Sequence, residues 1–121
     1  MLYTVDMEIE VEFYETEKGG CQALDFLRAQ PKSVRARTGF LISELERQGN
    51  ELQFPHTDSI EDGILELRVI ANRLQFRFLF FFAVGMAVIT NAFLKKTKTT
   101  PRAEIGKARA ARADWLRRRE D

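Results

Sequence analysis

A chain of 121 residues, 45% apolar and carrying ten phenylalanines, supports one domain over residues 1–121 with a buried core, and wholesale disorder is excluded. Its longest nearly uninterrupted apolar run, Phe78 to Ile89, covers 12 residues, against about twenty for a helix that spans a membrane, and the acidic opening stretch is no signal peptide. One cysteine, Cys21, and one histidine, His56, exclude a disulfide framework, a CxxC motif and His-rich metal chemistry, which leaves a soluble, cytoplasmic domain with no metal and no cofactor.

The net charge of +1 hides a gradient. Residues 1–20 carry six acids against Lys18, residues 21–93 balance eight acids with eight bases, and residues 94–121 hold ten bases against four acids. A basic end this pronounced suits an anionic partner, nucleic acid foremost. A solvated helix with bases at its C-terminal end, where the helix dipole favours them, accounts for it equally well.

Taken in order, the chain reads β-α-α-β-β-β-α. Residues 5–13 alternate strictly, with Val5, Met7, Ile9, Val11 and Phe13 on one face and Asp6, Glu8, Glu10 and Glu12 on the other. That period of two predicts a half-buried strand with a wet acidic face. Gly19-Gly20 ends it, and a short helix follows through Ala23, Leu24, Phe26 and Leu27. Pro31 opens a second helix to about Gln48, with Val34, Leu41, Ile42 and Leu45 on one stripe and Gly49-Asn50 as a left-handed C-cap. Residues 50–62 read as a polar loop. Strands follow at 64–70, 73–82 and 87–93, with a turn at Gly85 before the last, then a cationic loop from Leu94 to Thr100. Pro101 opens a C-terminal helix with Thr100 as its N-cap and Glu104 in its first turn.

The middle hairpin brings charge together. With Ala71-Asn72 as its two loop residues, Glu66 faces Arg77 and Arg68 faces Gln75, so these four form one polar patch. Leu65, Leu67, Val69, Leu74, Phe76 and Phe78 take the other face as core. Truncating Arg77 is then expected to leave that core packed. Charged residues in such apolar strands need partners or an anion. A Glu66–Arg77 ion pair on an exposed sheet face is the plain alternative.

The segment Phe93-Leu94-Lys95-Lys96-Thr97-Lys98-Thr99-Thr100-Pro101 carries the most chemistry. Three lysines within four residues disfavour one another's charge, which suits one of them to accept a proton while the others hold phosphate oxygens. Phe93 at the strand end suits stacking on a base. A solvated basic loop is the alternative.

These motifs resemble the RelE/ParE toxin superfamily, nearest its HigB-like branch with phage-derived relatives. The likeness rests on Leu65-Glu66-Leu67-Arg68, on Phe76-Arg77-Phe78-Leu79-Phe80-Phe81, on Asn91 through Pro101, and on Glu104-Ile105-Gly106-Lys107-Ala108. It is strongest over residues 64–110, while residues 1–50 agree mainly in element order and length. Two positions depart: Phe76 stands where the family commonly has Tyr, and Asn91-Ala92 where it often has His-Gly.

The resemblance implies an α+β, RelE-like fold, a small antiparallel sheet packed against two N-terminal helices with a C-terminal helix. It implies a type II toxin that cuts mRNA, often on the ribosome, by attack of a ribose 2′-OH on the adjacent phosphate without a metal. Arg68 and Arg77 would then stabilise the phosphate, Lys95 and Lys96 share proton transfer, Lys98 bind phosphate and Phe93 hold a base. The partners implied are mRNA, the ribosome and a cognate helix-turn-helix antitoxin, with no membrane. The alternatives are a protein of this fold without nuclease activity, acting on gyrase or only on its antitoxin, and a small RNA-binding protein.

The other conspicuous residues are read more plainly. His56 sits on a surface loop, Cys21 packs as a small hydrophobe at a helix start, and Trp115 belongs to the core or an antitoxin contact. Arg117-Arg118-Arg119 is a solvated, frayed end that attracts RNA.

Overall fold

Two-residue turns organise the sheet. Asp62-Gly63, Asn72-Arg73 and Val84-Gly85 each connect two antiparallel strands, and all six residues have positive φ. Such turns match the right-handed twist of their flanking strands and so close hairpins tightly. A computed structural model describes residues 8–119. In chain order they form β1 (Glu10–Phe13), α1 (Gln22–Arg28), α2 (Lys32–Gln48), a short 3-10 turn (Gly49–Glu51), β2 (Thr57–Glu61), β3 (Ile64–Ala71), β4 (Leu74–Ala83), β5 (Met86–Leu94) and α3 (Arg102–Arg119). The five strands lie in one sheet in the order β1-β5-β4-β3-β2. Five strands and three helices make an α+β architecture.

The structure corrects the sequence reading in several places. Residues 57–61, expected to be loop, form edge strand β2, paired antiparallel with β3. The sheet is mixed, because β1 runs parallel to β5, Val11 beside Ala87. Positions 5–7 of the predicted first strand lie outside the described residues. The β3–β4 turn is Asn72-Arg73, one residue later than expected, so Arg68 faces Arg77 and Glu66 faces Leu79. A shift of the turn by one moves each cross-strand partner by two, which preserves the faces while changing the pairs.

One face of the sheet packs on α1 and α2. Leu67, Val69, Phe76, Phe78, Phe80, Ala87 and Ile89 join Val34, Leu41 and Leu45 in a continuous core. Phe26 of α1 meets Phe76 and Phe78 edge-on, with ring centroids 6.2 and 6.0 Å away. Leu74, predicted to be core, lies at the hairpin end and is exposed.

The other face is covered by α3. Ile64 and Leu79 pack on Ile105 and Ala108, and Phe81 and Val88 on Trp115. The acidic face of β1 is therefore not simply wet: Trp115 Nε1 donates to Glu12 Oε2. Nor is the run Arg117-Arg118-Arg119 a loose end. Arg117 pairs with Glu17 and Asp114, and Arg118 pairs with Asp114, while the Arg119 guanidinium lies 4.6 Å from the Trp115 ring centroid.

A bulge completes the design. The β4–β5 register slips between Leu79 and Phe80, leaving Thr90 as the extra residue. Before it, odd-numbered Ala87 and Ile89 face α1 and α2. After it, Ala92 takes that side, and Asn91 and Phe93 turn towards α3. The extra residue thus re-aims the end of β5. Asn91 Nδ2 then donates to the Glu104 carbonyl and side chain at 3.1 and 3.0 Å, tying down the first turn of α3.

Candidate functional site

Arg68 and Arg77 stand directly opposite each other on the face that α3 covers. Two cations in that position repel, and both are taken partly out of water, so the arrangement requires a carboxylate. Glu66 supplies it. Its Oε2 accepts from Arg68 Nη1 at 3.1 Å, its Oε1 lies 3.4 Å from Arg77 Nε, and the Thr100 hydroxyl donates to Oε1 at 3.3 Å. Thr100 is therefore not the helix cap that the sequence suggests. α3 begins at Arg102, and the Pro101 carbonyl accepts from the amides of Glu104 and Ile105.

Arg77 and Arg68 have different surroundings. Arg77 is 1% exposed. Its Nη1 donates to the Phe76 carbonyl at 3.1 Å and its Nη2 to Gln75 Oε1 at 2.8 Å. Burial holds its pKa below the usual guanidinium value, with Glu66 pulling the other way and Arg68 adding to the depression. Arg77 thus braces Glu66 from behind, and with a side chain 1% exposed its truncation would leave a cavity rather than an undisturbed core. Arg68 is half-buried and lines a cleft of about 600 Å³ bounded by β2, β3, the lysine loop and the start of α3.

Glu66 lies in that cleft with Arg68, Lys95, Lys98, Thr99, Thr100 and Arg102. Lys95 is half-buried and held by its amide, which donates to the Gln75 carbonyl at 2.8 Å. Lys98 is exposed at the rim. Lys96 is exposed and does not line the cleft, because strand alternation sends it to the other side. Phe93 is half-buried against the cluster of Leu79, Ile105 and Ala108, and it too is not part of the cleft wall. Four of the six candidates thus meet around Glu66 in some form, Arg68, Lys95 and Lys98 in the cleft and Arg77 behind it.

The fold also accounts for the charge gradient. Arg102 and Arg109 both pair with Glu61, and Arg109 and Arg112 with Asp62, which fastens α3 to the β2–β3 turn. The Arg102 hydrogen bond first, then that of Arg109, hold the Glu61 carboxyl down at about 2. With Arg117 and Arg118 also paired, much of the basic C-terminal helix is neutralised within the molecule. Lys95, Lys96 and Lys98 have no acidic partner among the described residues. The net positive field of the C-terminal third is therefore focused at the lysine loop.

The sequence offers Glu66 as part of a polar patch or as the ion-pair partner of Arg77 on an exposed sheet face; the pair is present, but buried, and Phe54 is not singled out. Glu66 is the residue on which both arginines converge. Phe54 is 67% exposed, with the Arg68 guanidinium 5.1 Å from its ring centroid. The signal for Glu66 was an acid alternating with Arg68 inside an apolar strand; Phe54 gave none, since the loop conformation that brings it to Arg68 is not written in its neighbours. His56 is half-buried and Cys21 half-buried at the start of α1, neither in this cleft. Among the described residues no group of three or more His, Cys, Asp or Glu is placed to hold a metal ion, and no helix is long and apolar enough to cross a membrane.

The fold and cleft define a small α+β protein whose sheet and last helix frame a groove in which Arg68, Lys95, Lys98 and Arg102 meet the buried Glu66 and, on the β2 side, Asp58 and Glu61. The chain belongs to the family described as Phage derived protein Gp49-like (DUF891), whose model matches residues 25–113, from α1 into the last helix. No curated protein matches it.

Proposed function

We propose that this protein is the toxin of a type II toxin–antitoxin pair, a RelE-like and HigB-like endoribonuclease that cuts mRNA on the ribosome. Membership of a phage-derived family and the resemblance of residues 64–110 to such toxins support the reading. The observation that carries it is the juxtaposition of Arg68, Lys95 and Lys98, fixed around Glu66 in an open cleft wide enough for a nucleotide. A helix-turn-helix antitoxin as partner belongs to the same proposal.

In this reading the RNA backbone enters the cleft along the lysine loop. Arg68 and Lys98 hold the scissile phosphate and stabilise the extra negative charge of its five-coordinate transition state. Lys95, the lysine fixed at the strand end, takes the proton of the 2′-OH as its oxygen attacks phosphorus. The bond to the 5′-oxygen breaks, leaving a 2′,3′-cyclic phosphate, and the departing oxygen takes up a proton from water, while Lys95 gives the proton it gained back to solvent. Glu66 and Thr100 orient Arg68, and Arg77 fixes Glu66; these three act as positioning residues.

Purified ribosomes programmed with a defined mRNA test the proposal. Cuts in phase with codons, in chelator as well as in magnesium-containing buffer once the ribosomes are stalled and fixed, are the expected result. An intact, folded protein that leaves ribosome-bound mRNA uncut overturns the nuclease reading.

A further inference from the structure

Single exposed apolar side chains are ordinary and need no function. Val84 and Leu116 are of that kind, at a turn tip and on the outer side of α3. Phe54 has a different setting. The turn Gln53–His56 closes with the His56 amide donating to the Gln53 carbonyl at 3.0 Å, and the His56 carbonyl accepts from the Arg68 amide at 2.8 Å. The segment bearing Phe54 is thereby fastened to β3 at the residue whose side chain lines the cleft. The Arg68 guanidinium covers part of the ring, and its Nη1 is held by Glu66. The result is an aromatic surface, 67% exposed, anchored beside the cleft that Arg68, Lys95 and Lys98 line.

We infer that Phe54, backed by Arg68, is a platform for one unpaired nucleobase of the RNA strand whose phosphate enters the cleft. The inference rests on the RNA-cutting reading above and adds to it the position of a base subsite. Phe93, the aromatic first expected to stack, is packed against Leu79 and Ile105, which leaves Phe54 as the ring open beside Arg68. Aromatic faces accept any base, because every base has a π face, and an adjacent guanidinium adds a second flat surface. Placing base and phosphate sites on one arginine also sets the distance between them, so the platform acts on the nucleotide next to the cleft.

The molecule contains its own control. Phe40 is 53% exposed and has Arg37 at 5.3 Å from its ring centroid, the same local chemistry, but on α2, the helix layer across the sheet from the cleft.

Short single-stranded oligoribonucleotides, fully 2′-O-methylated so that the attacking hydroxyl is blocked, are titrated against the full chain at one fixed salt concentration. Phe54→Ala is expected to weaken binding by about 5- to 150-fold, the range that loss of one base–aromatic stack produces. Phe54→Trp should retain affinity, and Phe40→Ala should bind as the unmodified protein does. An oligonucleotide with one abasic position should lose a similar factor against the unmodified protein and almost nothing further against Phe54→Ala. Independent penalties for the abasic position and the substitution overturn the platform. So does wild-type affinity in a folded Phe54→Ala, or no binding of any oligonucleotide by the unmodified protein. Codon-phased cutting that survives those results leaves the toxin reading standing without the platform. A coupled base effect with no cutting on ribosomes supports the platform and removes the nuclease.

Discussion

Replacing Arg77 by alanine tests the ion cluster most severely. Arg77 is 1% exposed, so its loss both opens a cavity and strips Glu66 of a cation. Removing one partner of a buried ion pair costs about 3–5 kcal/mol, since the other charge stays behind without compensation. Arg68 and the Thr100 hydroxyl still contact Glu66, which places the expectation near the lower end, about 3 kcal/mol. For a chain of 121 residues that is a fall in Tm of roughly 9–15 °C, at about 3–5 °C per kcal/mol.

Urea denaturation followed by circular dichroism measures the loss directly, with an unchanged slope expected if the unfolded state is unaffected. The companion variant Glu66→Gln/Arg77→Met removes both charges while keeping similar volume, and should recover at least half of the loss. An Arg77→Ala protein within about 0.5 kcal/mol of the parent, the scatter expected of a surface change, refutes the buried brace. A double variant as unstable as the single one, with volume kept and both charges gone, shows that neither the cavity nor the stranded charge sets the cost, and assigns it to the hydrogen bonds that Arg77 makes to Phe76 and Gln75 and to the carboxylate that Arg68 loses.

Three further outcomes follow from the same geometry. Lys95→Ala should collapse the single-turnover cleavage rate at saturating ribosomes, whereas Lys96→Ala, outside the cleft, should leave that rate near the parent's; equal losses would place both in the chemistry. The Glu61 carboxyl is held at about 2, against an ordinary 4.5. The native state thus binds this proton less readily than the unfolded chain, so its contribution is complete above the ordinary value and is lost as pH falls through about 2. Urea midpoints between pH 5 and 2 should therefore fall less steeply in Glu61→Gln than in the parent, and parallel acid limbs would refute the clasp. Arg73 occupies a turn position at φ +63°, where glycine is favoured; Arg73→Gly should stabilise by roughly 0.5–1 kcal/mol in urea titrations, and a loss of stability would mean that its side chain matters to the turn.

Much of the fold was written in two-residue alternation. Glu66, Arg68, Gln75 and Arg77 were placed on one face and do share it, because face depends on parity alone. Their pairing was missed because Ala71-Asn72 and Asn72-Arg73 are both plausible two-residue turns, and the choice shifts every partner. β2 was missed although Asp62-Gly63, a strong hairpin signal, stood at its end. Its sequence, Thr57 to Glu61, offers only Ile60 as a large apolar residue, as befits an edge strand with one neighbour. The Glu61 and Asp62 clusters are invisible in sequence for another reason: their arginines meet them through tertiary packing, as Arg109 does with Asp62, whereas Asp114 meets Arg117 and Arg118 three and four residues on along one helix, a spacing the sequence does display.

The bulge at Thr90 shows why the site itself was only half legible. Without the extra residue, strict alternation would carry Phe93 and Lys95 to the face of α1 and α2, with Ala87 and Ile89, and send Leu94 and Lys96 towards α3. With it, Phe93 turns inward against Ile105 and Lys95 lines the cleft, while Lys96 is left outside. One residue therefore decides which of two neighbouring lysines can meet an anion. Composition put the cations in the right segment, but no periodicity within that segment separates Lys95 from Lys96. The register of β5 against β4 does, and it is set by Leu79 and Phe80, more than ten residues earlier in the chain.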